Sequence, residues 1–327
     1  MIHQTAPPAR PEAISTGKGV EYPPGTFEHD TTVTMATVVP IKGAGRGRTW
    51  LKCSDTVFIE YANATKVTHA DLGQGFRFTG PGVDADSACF HFTSASAGAS
   101  FCNWRDITAG SVESFVLSDA PPQNTGVVGT KWAGSVTWST FENINLRSGI
   151  KYGARFRKGS GTGNCWIGGK PGIDQAGGAV VECLGEPAAD NEMLGINVGD
   201  FFMLGVHALT ESAVSADAVL FRGGPNTTYR SRIGIFGCQI DASQDIPLDL
   251  STTGSVLWSN IRIGSDNNIG GAVNIIDRRI PRAVPDEPAH IDAVATYGSA
   301  ANERSIGGAV DVPLGAGLVA HLDGSHR

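Results

Sequence analysis

FENINLRSGIKYGARFRKGSGTGNCWIGGKPGIDQAGGAVVE, residues 141–182, carries the same two short segments twice. The first is an aromatic residue that leads into a tight turn, at 141–144 and again at 166–169. The second is a short run of strand character, at 154–157 and again at 179–182. Short apolar runs separated by glycine-rich turns are typical of β-strands. The stretch therefore predicts a unit of strand, turn, strand and loop that occurs twice.

Both series of segments continue along the chain. Further members of the first lie at 104–107, 202–206, 236–240 and 258–261, and of the second at 219–222, 247–250 and 273–275. A unit this small cannot bury its apolar face alone, whereas stacked units bury a continuous core. The steps are too short and irregular for propeller blades. We therefore expect an all-β chain that forms a right-handed parallel β-helix with a short C-terminal appendage.

A glycine cluster at 43–47, Gly-Ala-Gly-Arg-Gly, has the composition of a phosphate-binding loop. Such a loop needs a helix directly after it, so that the N-terminal amides and the helix dipole meet the phosphate. The following residues, 48–53, have strand character instead. The cluster is therefore expected to turn the chain between two strands.

The opening segment, 19–53, contains a strand, then Pro-Pro-Gly-Thr-Phe at 23–27, then a strand into Ile-Lys-Gly-Ala-Gly at 41–45. It resembles the first coil of pectate-lyase-like β-helix proteins, a superfamily of polysaccharide lyases, glycoside hydrolases and phage tailspikes. The resemblance covers roughly residues 19–277. It implies a polysaccharide ligand and, through the tailspikes, a homotrimer. No catalytic residue is transferred from the superfamily, because its lyase and polygalacturonase signatures are missing here.

Composition narrows the range of partners. The 327 residues carry a formal net charge of −7, which disfavours nucleic acid because phosphate contacts need a concentrated basic face. No apolar stretch approaches the about 18 residues of a membrane span, and no signal peptide is visible. We expect no membrane partner, and a chain made in the cytoplasm that is virion-associated or extracellular in use. The six cysteines are expected to be buried thiols, and neither cofactor nor metal is expected.

The domain organisation follows the repeat. Residues 1–18 are expected to be an N-terminal segment or the remnant of a capping helix, and 19–277 the β-helix itself. Residues 278–288 have the composition of a proline-rich linker. The remaining residues, 289–327, are expected to form a C-terminal cap or an oligomer contact, because an exposed sheet edge must be covered.

A polar row is expected on the outer face of the second series, because successive side chains of a strand alternate between faces. The expected row is His91, Val116, Arg157, Glu182, Arg222, Asp249 and Asn274. Glu182 and Asp249 are the candidate catalytic pair, since backbones about 10 Å apart allow the about 6.5–9.5 Å carboxyl separation of inverting glycosidases. The candidate substrate-binding residues are His91, Arg157, Arg222 and Asn274.

The same row has a structural interpretation. Alternating charges on adjacent strands form a ladder of ion pairs, and each exposed pair contributes at most about 1 kcal/mol. Trp132, Trp138 and Tyr229 are candidates for stacking on sugar rings, with inward packing as the alternative. Two functions are open: a polysaccharide-binding and cleaving protein, most simply a tailspike-type depolymerase, and a non-catalytic receptor-binding or structural protein of a virion or cell surface.

Overall fold

The computed structural model describes only part of the chain. The described residues are 19–35, 39–62, 67–68, 70–93, 99–119, 136–157, 163–183, 201–210, 219–223, 231–242, 248–250, 258–263, 268–269, 275–277 and 291–293. In these residues the regular structure is entirely β, and every strand pair is parallel. The all-β expectation is therefore confirmed for this part of the chain.

Three parallel ladders contain most of the strands. The first ladder is β1 (Val20–Tyr22), β4 (Ile41–Gly43), β8 (Asp71–Gln74), β12 (Asn103–Arg105), β15 (Thr140–Glu142), β18 (Asn164–Ile167), β21 (Phe201–Leu204), β24 (Ser231–Phe236), β27 (Trp258–Ile263) and β30 (Ile291–Ala293). The second ladder is β2 (Gly25–His29), β5 (Thr49–Cys53), β9 (Arg77–Gly82), the start of β13 (Thr108–Ser118), β16 (Asn145–Leu146), β19 (Lys170–Ile173), β22 (His207–Thr210), β25 (Gln239–Ala242) and β28 (Asn268–Ile269). The third ladder is β3 (Val33–Thr34), β6 (Val57–Tyr61), β10 (Ala88–Phe92), the end of β13, β17 (Ile150–Phe156), β20 (Ala179–Cys183), β23 (Val219–Gly223), β26 (Leu248–Leu250) and β29 (Ile275–Asp277).

The chain visits the three ladders in a fixed order. Each pass along the chain adds one strand to the first ladder, one to the second and one to the third, before the next pass begins. The long strand β13 serves two ladders, because its start pairs with β16 and its remainder with β17. The second and third ladders therefore form one curled sheet. A separate minor ladder consists of β7 (Val67–Thr68), β11 (Ala99–Ser100) and β14 (Val136–Thr137).

One left-handed residue makes the corner between the first and second ladders. In successive passes the residues are Gly75, Asp106, Asn143, Gly168, Gly205 and Gly237, with φ between 53° and 70°. Glycine, asparagine and aspartate tolerate this conformation best, which explains the turn that follows each aromatic segment. The Asn143 side-chain amide donates to Asp106 Oδ1 at 2.6 Å, so neighbouring corners also bond to each other.

The glycine cluster makes the corner between β4 and β5, and a strand follows it, as expected. The chain leaves β4 at Gly43, and the Gly45 amide donates to the Gly75 carbonyl of the next pass at 2.7 Å. A Cβ at Gly43 would lie 2.4 Å from that carbonyl oxygen, so only glycine permits this approach. Because β5 and not a helix follows directly, the cluster lacks the adjoining helix N-terminus that a phosphate-binding loop needs.

Aromatic side chains of the first ladder fill the core. Trp104, Phe141 and Trp166 occupy equivalent positions in three successive passes and are fully buried. Their rings stack with centroid separations of 4.9 and 4.8 Å, close to the about 4.8 Å spacing of paired strands. The strand spacing therefore places equivalent rings in contact.

The third ladder is buried on both faces in its middle. All five residues of β10 are buried, as are residues 112–118 of β13 and 179–182 of β20. The polar row was expected at the surface, so this burial changes the environment in which its charges interact. Of the cysteines, Cys53, Cys89, Cys102 and Cys238 are buried thiols and Cys165 is half-buried.

Candidate functional site

The third ladder brings three of the predicted site residues side by side. Glu182 of β20 lies opposite Arg222 of β23, and Arg222 lies opposite Asp249 of β26. On its other side Glu182 lies opposite Arg155 of β17. One row therefore runs Arg155, Glu182, Arg222 and Asp249, with alternating charge.

The predicted row was wrong at two described positions. Arg157 is not opposite Glu182, because Ala154 and not Phe156 lies opposite Val181. The register therefore places Arg155 in the row and Arg157 two residues beyond it. On β13 the row passes through Leu117 and not Val116, because Leu117 lies opposite both His91 and Arg155; His91 therefore belongs to the row. Asn274 lies outside the described residues, and Ile276 lies opposite Asp249.

Glu182 is held by two guanidinium groups. Arg155 Nε donates to its Oε2 at 2.6 Å, and Arg222 Nη1 donates to its Oε1 at 3.2 Å. Glu182 itself is only 3% exposed. Both carboxylate oxygens are therefore occupied, and a role as base or nucleophile would require displacement of one arginine.

Arg155 links Glu182 to a second buried carboxylate. Its Nη1 donates to Glu113 Oε1 at 3.4 Å, and its guanidinium lies 4.2 Å from the ring centre of Tyr152. Burial raises the pKa of the Tyr152 hydroxyl, and the nearby Glu182 acts in the same direction. Glu113 in turn accepts the backbone amide of Asp86 at 2.7 Å.

His91 and Arg157 meet at Asp119. His91 Nε2 lies 2.8 Å from Asp119 Oδ2, and Arg157 Nε donates to Oδ1 at 2.5 Å. A second nitrogen of Arg157 also bonds Asp119, and its third nitrogen bonds Asp86. Burial alone would raise the pKa of Asp119, but the bonds from His91 and Arg157 outweigh it and hold that pKa well below its usual range.

These contacts join eight residues into one network, named the charged cluster below. Its members are Asp86, His91, Glu113, Asp119, Arg155, Arg157, Glu182 and Arg222. The cluster holds four carboxylates against three guanidinium groups, with the imidazole of His91 beside Asp119. Its most open end is at Asp86 and Arg157, whose side chains are 51% and 27% exposed.

Sequence reasoning missed half of the charged cluster. Asp119 carries a usable signal, because it follows Leu117 at the two-residue spacing of one strand face, as Arg157 follows Arg155. Glu113 of β13 carries the same signal, because it precedes Leu117 by four residues on that strand face. Asp86 carries none, because it belongs to the turn before β10.

A second candidate site is a stacked pair of exposed aromatic residues at the corner before the first ladder. Phe101 is 47% and Trp138 is 41% exposed, and their rings lie 5.4 Å apart at 11°. Both residues have left-handed backbones, with φ of 54° and 48°. Gly163 follows at the equivalent position of the next pass, where a Cβ would lie 2.3 Å from Trp138 Cδ1. The three positions are named the aromatic corner below. Within it, the Trp138 ring packs against Gly163.

The structure says less about the other residues that the sequence suggested for a site. Trp132 and Tyr229 lie outside the described residues, and for Asp249 the structure describes the backbone pairing alone. Among the described residues, no three His, Cys, Asp or Glu side chains are grouped to hold a metal ion. That part of the chain also contains no helix with the length and apolar character to cross a membrane.

Comparison with known proteins adds no relative to this description. No protein-family model, curated protein or solved structure matches the chain significantly.

Proposed function

We propose that the chain winds as a right-handed parallel β-helix of the pectate-lyase-like kind. The fixed order in which the chain visits its three ladders supports this proposal, because a solenoid adds one strand to each ladder per turn. Right-handed winding follows from the strong preference of parallel crossovers for that hand. A coil of this kind presents long outer flanks on which an elongated ligand can lie.

The function that the geometry supports best is polysaccharide binding, and the aromatic corner is the observation that carries it. Burying a large apolar side chain is worth about 1.5–3 kcal/mol, yet Phe101 and Trp138 stay in contact with solvent. Their left-handed backbones cost about 1–2 kcal/mol each. Flat, rigid, exposed rings match the C–H faces of sugar rings, to which they offer apolar area with little loss of side-chain entropy.

Trp138→Ala is expected to weaken polysaccharide binding about tenfold or more, because tenfold corresponds to about 1.4 kcal/mol, less than the burial of one such ring. Phe101→Ala should act in the same direction. Binding is measured on an array of capsular and plant polysaccharides, followed by calorimetry on those that bind. Ile167→Ala is the matched control, since Ile167 is 40% exposed on the first ladder. Equal binding by all three variants and the original chain would contradict the assignment.

We also propose that the bound polysaccharide is cleaved by Glu182 and Asp249. Arg222 separates the two carboxylates in the row, so their backbones are about 10 Å apart. That spacing is compatible with an inverting pair, and Arg222 would bind the carboxylate of an acidic sugar. His91, Arg157 and Asn274 remain substrate-binding candidates in this proposal. Movement of Arg155 or Arg222 away from Glu182 on binding would free an oxygen for chemistry.

Glu182→Gln and Asp249→Asn are each expected to abolish cleavage while binding persists. A reducing-sugar assay detects hydrolysis, and ultraviolet absorbance of unsaturated uronates detects elimination. Circular dichroism tests whether both variants are folded. If Glu182→Gln is unfolded, the activity of Asp249→Asn tests the catalytic proposal. Undiminished activity in a folded variant removes that residue from catalysis. A chain that binds polysaccharides and releases neither product is a binder only.

A non-catalytic receptor-binding or structural role is the second candidate, and one observation favours it. Both oxygens of Glu182 are held by arginines, which is the arrangement of a structural ion-pair network. A virion tailspike, assembled as a homotrimer, would suit either function. Light scattering that gives the mass of one chain would exclude that trimer.

A further inference from the structure

A continuous polar row follows the outer face of the second ladder. The inward residues of this ladder, such as Leu51, Phe78 and Leu146, are buried, so period-two alternation places their neighbours outside. The outward row, in order of pairing, is Thr26, Trp50, Arg77, Thr108, Asn145, Lys170, His207 and Gln239. Seven steps of about 4.8 Å give it a length of about 34 Å.

The row contains no aspartate or glutamate, although the whole chain has a net charge of −7. Its two permanent cations, Arg77 and Lys170, form no ion pair within the described residues. This differs from the third ladder, where the arginines of the charged cluster are all paired with carboxylates. Apart from the tryptophan and His207, the remaining members are uncharged donors and acceptors of hydrogen bonds.

The ring of Trp50 contacts two cationic side chains near one end of the row. The guanidinium of Arg77 lies 4.4 Å from the centre of the Trp50 ring, and Lys52 Nζ lies 4.7 Å from it. The indole nitrogen of Trp50 donates to Thr79 Oγ1 at 2.9 Å, which fixes the ring. Contact with the ring leaves the N–H groups of Arg77 able to donate to an acceptor.

We infer that this row is a binding track for an acidic polysaccharide, with Arg77 and Lys170 as the contacts for carboxylate groups on the sugars. Threonine, asparagine and glutamine side chains match the hydroxyl groups between those carboxylates. Arg77 and Lys170 are three strands apart, or about 14 Å. A nucleic acid carries a charge on every nucleotide and needs a denser basic stripe, so the spacing favours the sparser charge of a polysaccharide.

This inference rests on the proposed polysaccharide binding and narrows its ligand class. The test uses an array of acidic and neutral capsular polysaccharides, with single-stranded DNA as a further arm. Arg77→Gln and Lys170→Gln should each weaken binding of acidic polysaccharides about tenfold, as expected for loss of one hydrogen-bonded charge. Added salt should weaken binding of the original chain. Lys42→Gln removes the same charge from the first ladder and should leave affinity unchanged.

The outcomes separate the inference from the function on which it rests. Binding that depends on Trp138 but is unaffected by the Arg77 and Lys170 variants overturns the track and leaves polysaccharide binding standing. An equal preference for neutral polysaccharides overturns it as well. Tighter binding of DNA than of any polysaccharide would assign the row to nucleic acid and sink the inference. Failure to bind any polysaccharide on the array removes both proposals.

Discussion

Glu182→Ala is expected to lower the free energy of unfolding by about 3 kcal/mol, because removal of one partner from a buried ion pair leaves an uncompensated charge. Arg155 and Arg222 both lose a carboxylate, and their side chains are only 16% and 17% exposed. Arg155 keeps Glu113, and Arg222 keeps the Gly177 carbonyl at 2.5 Å. These remaining contacts place the loss near the lower end of the about 3–5 kcal/mol range for broken buried pairs.

This effect is measured by equilibrium denaturation of Glu182→Ala. The control is a variant in which an exposed ion pair is broken. Glu21 and Lys42 form an ion pair at 3.7 Å with side chains 76% and 58% exposed. Glu21→Ala should therefore cost less than about 1 kcal/mol. A loss at Glu182 no larger than the loss at Glu21 would mean that water reaches the charged cluster, and the burial described for it would be incorrect.

Phe141→Ala is expected to lower the free energy of unfolding by about 3–5 kcal/mol. The ring is fully buried between Trp104 and Trp166, at 4.9 and 4.8 Å. Both neighbours are themselves fixed in paired strands, so they cannot close the space that the missing ring leaves. The variant therefore loses the transfer free energy, two ring stackings and the cost of an unfilled cavity.

The matched control for Phe141 is Phe101→Ala, which removes an aromatic ring that is 47% exposed. Its ring contacts Trp138 on the outside of the corner, so the expected change is at most about 1 kcal/mol. Thermal denaturation followed by circular dichroism compares the two variants. Similar losses in both would show that Phe141 does not occupy a stacked core position.

The strands and their parallel pairing were largely predictable because each pass repeats one local pattern. An aromatic core residue precedes a left-handed corner, as at Phe141 and Asn143, and an aliphatic residue such as Ile144 follows. Residue types that tolerate positive φ are few, so the corner leaves a trace in the sequence. The register within the third ladder left a weaker trace. Ala154 and Phe156 are both apolar and both precede an arginine, so the sequence offered two equivalent pairings with Val181.

The charged cluster was only partly predictable, for a geometric reason. Glu182 and Arg222 share a row, and period-two alternation finds them. Asp86 reaches the cluster from a turn, where it has a left-handed backbone with φ of 68°. No periodicity connects a turn residue to Glu113 and Arg157, which follow it by one and two passes along the chain. The exposure of the polar row was also predicted incorrectly. Both faces of the third ladder are covered in its middle, whereas the alternation of residues along a strand identifies only one buried face.

A crystal structure of the chain tests the stacked arrangement most directly, through the neighbours of Glu182. We expect its carboxylate between the guanidinium groups of Arg155 and Arg222, with the three residues on parallel, adjacent strands. Electron density that placed these residues in antiparallel hairpins, or on different faces of the molecule, would contradict the three ladders and the site built on them.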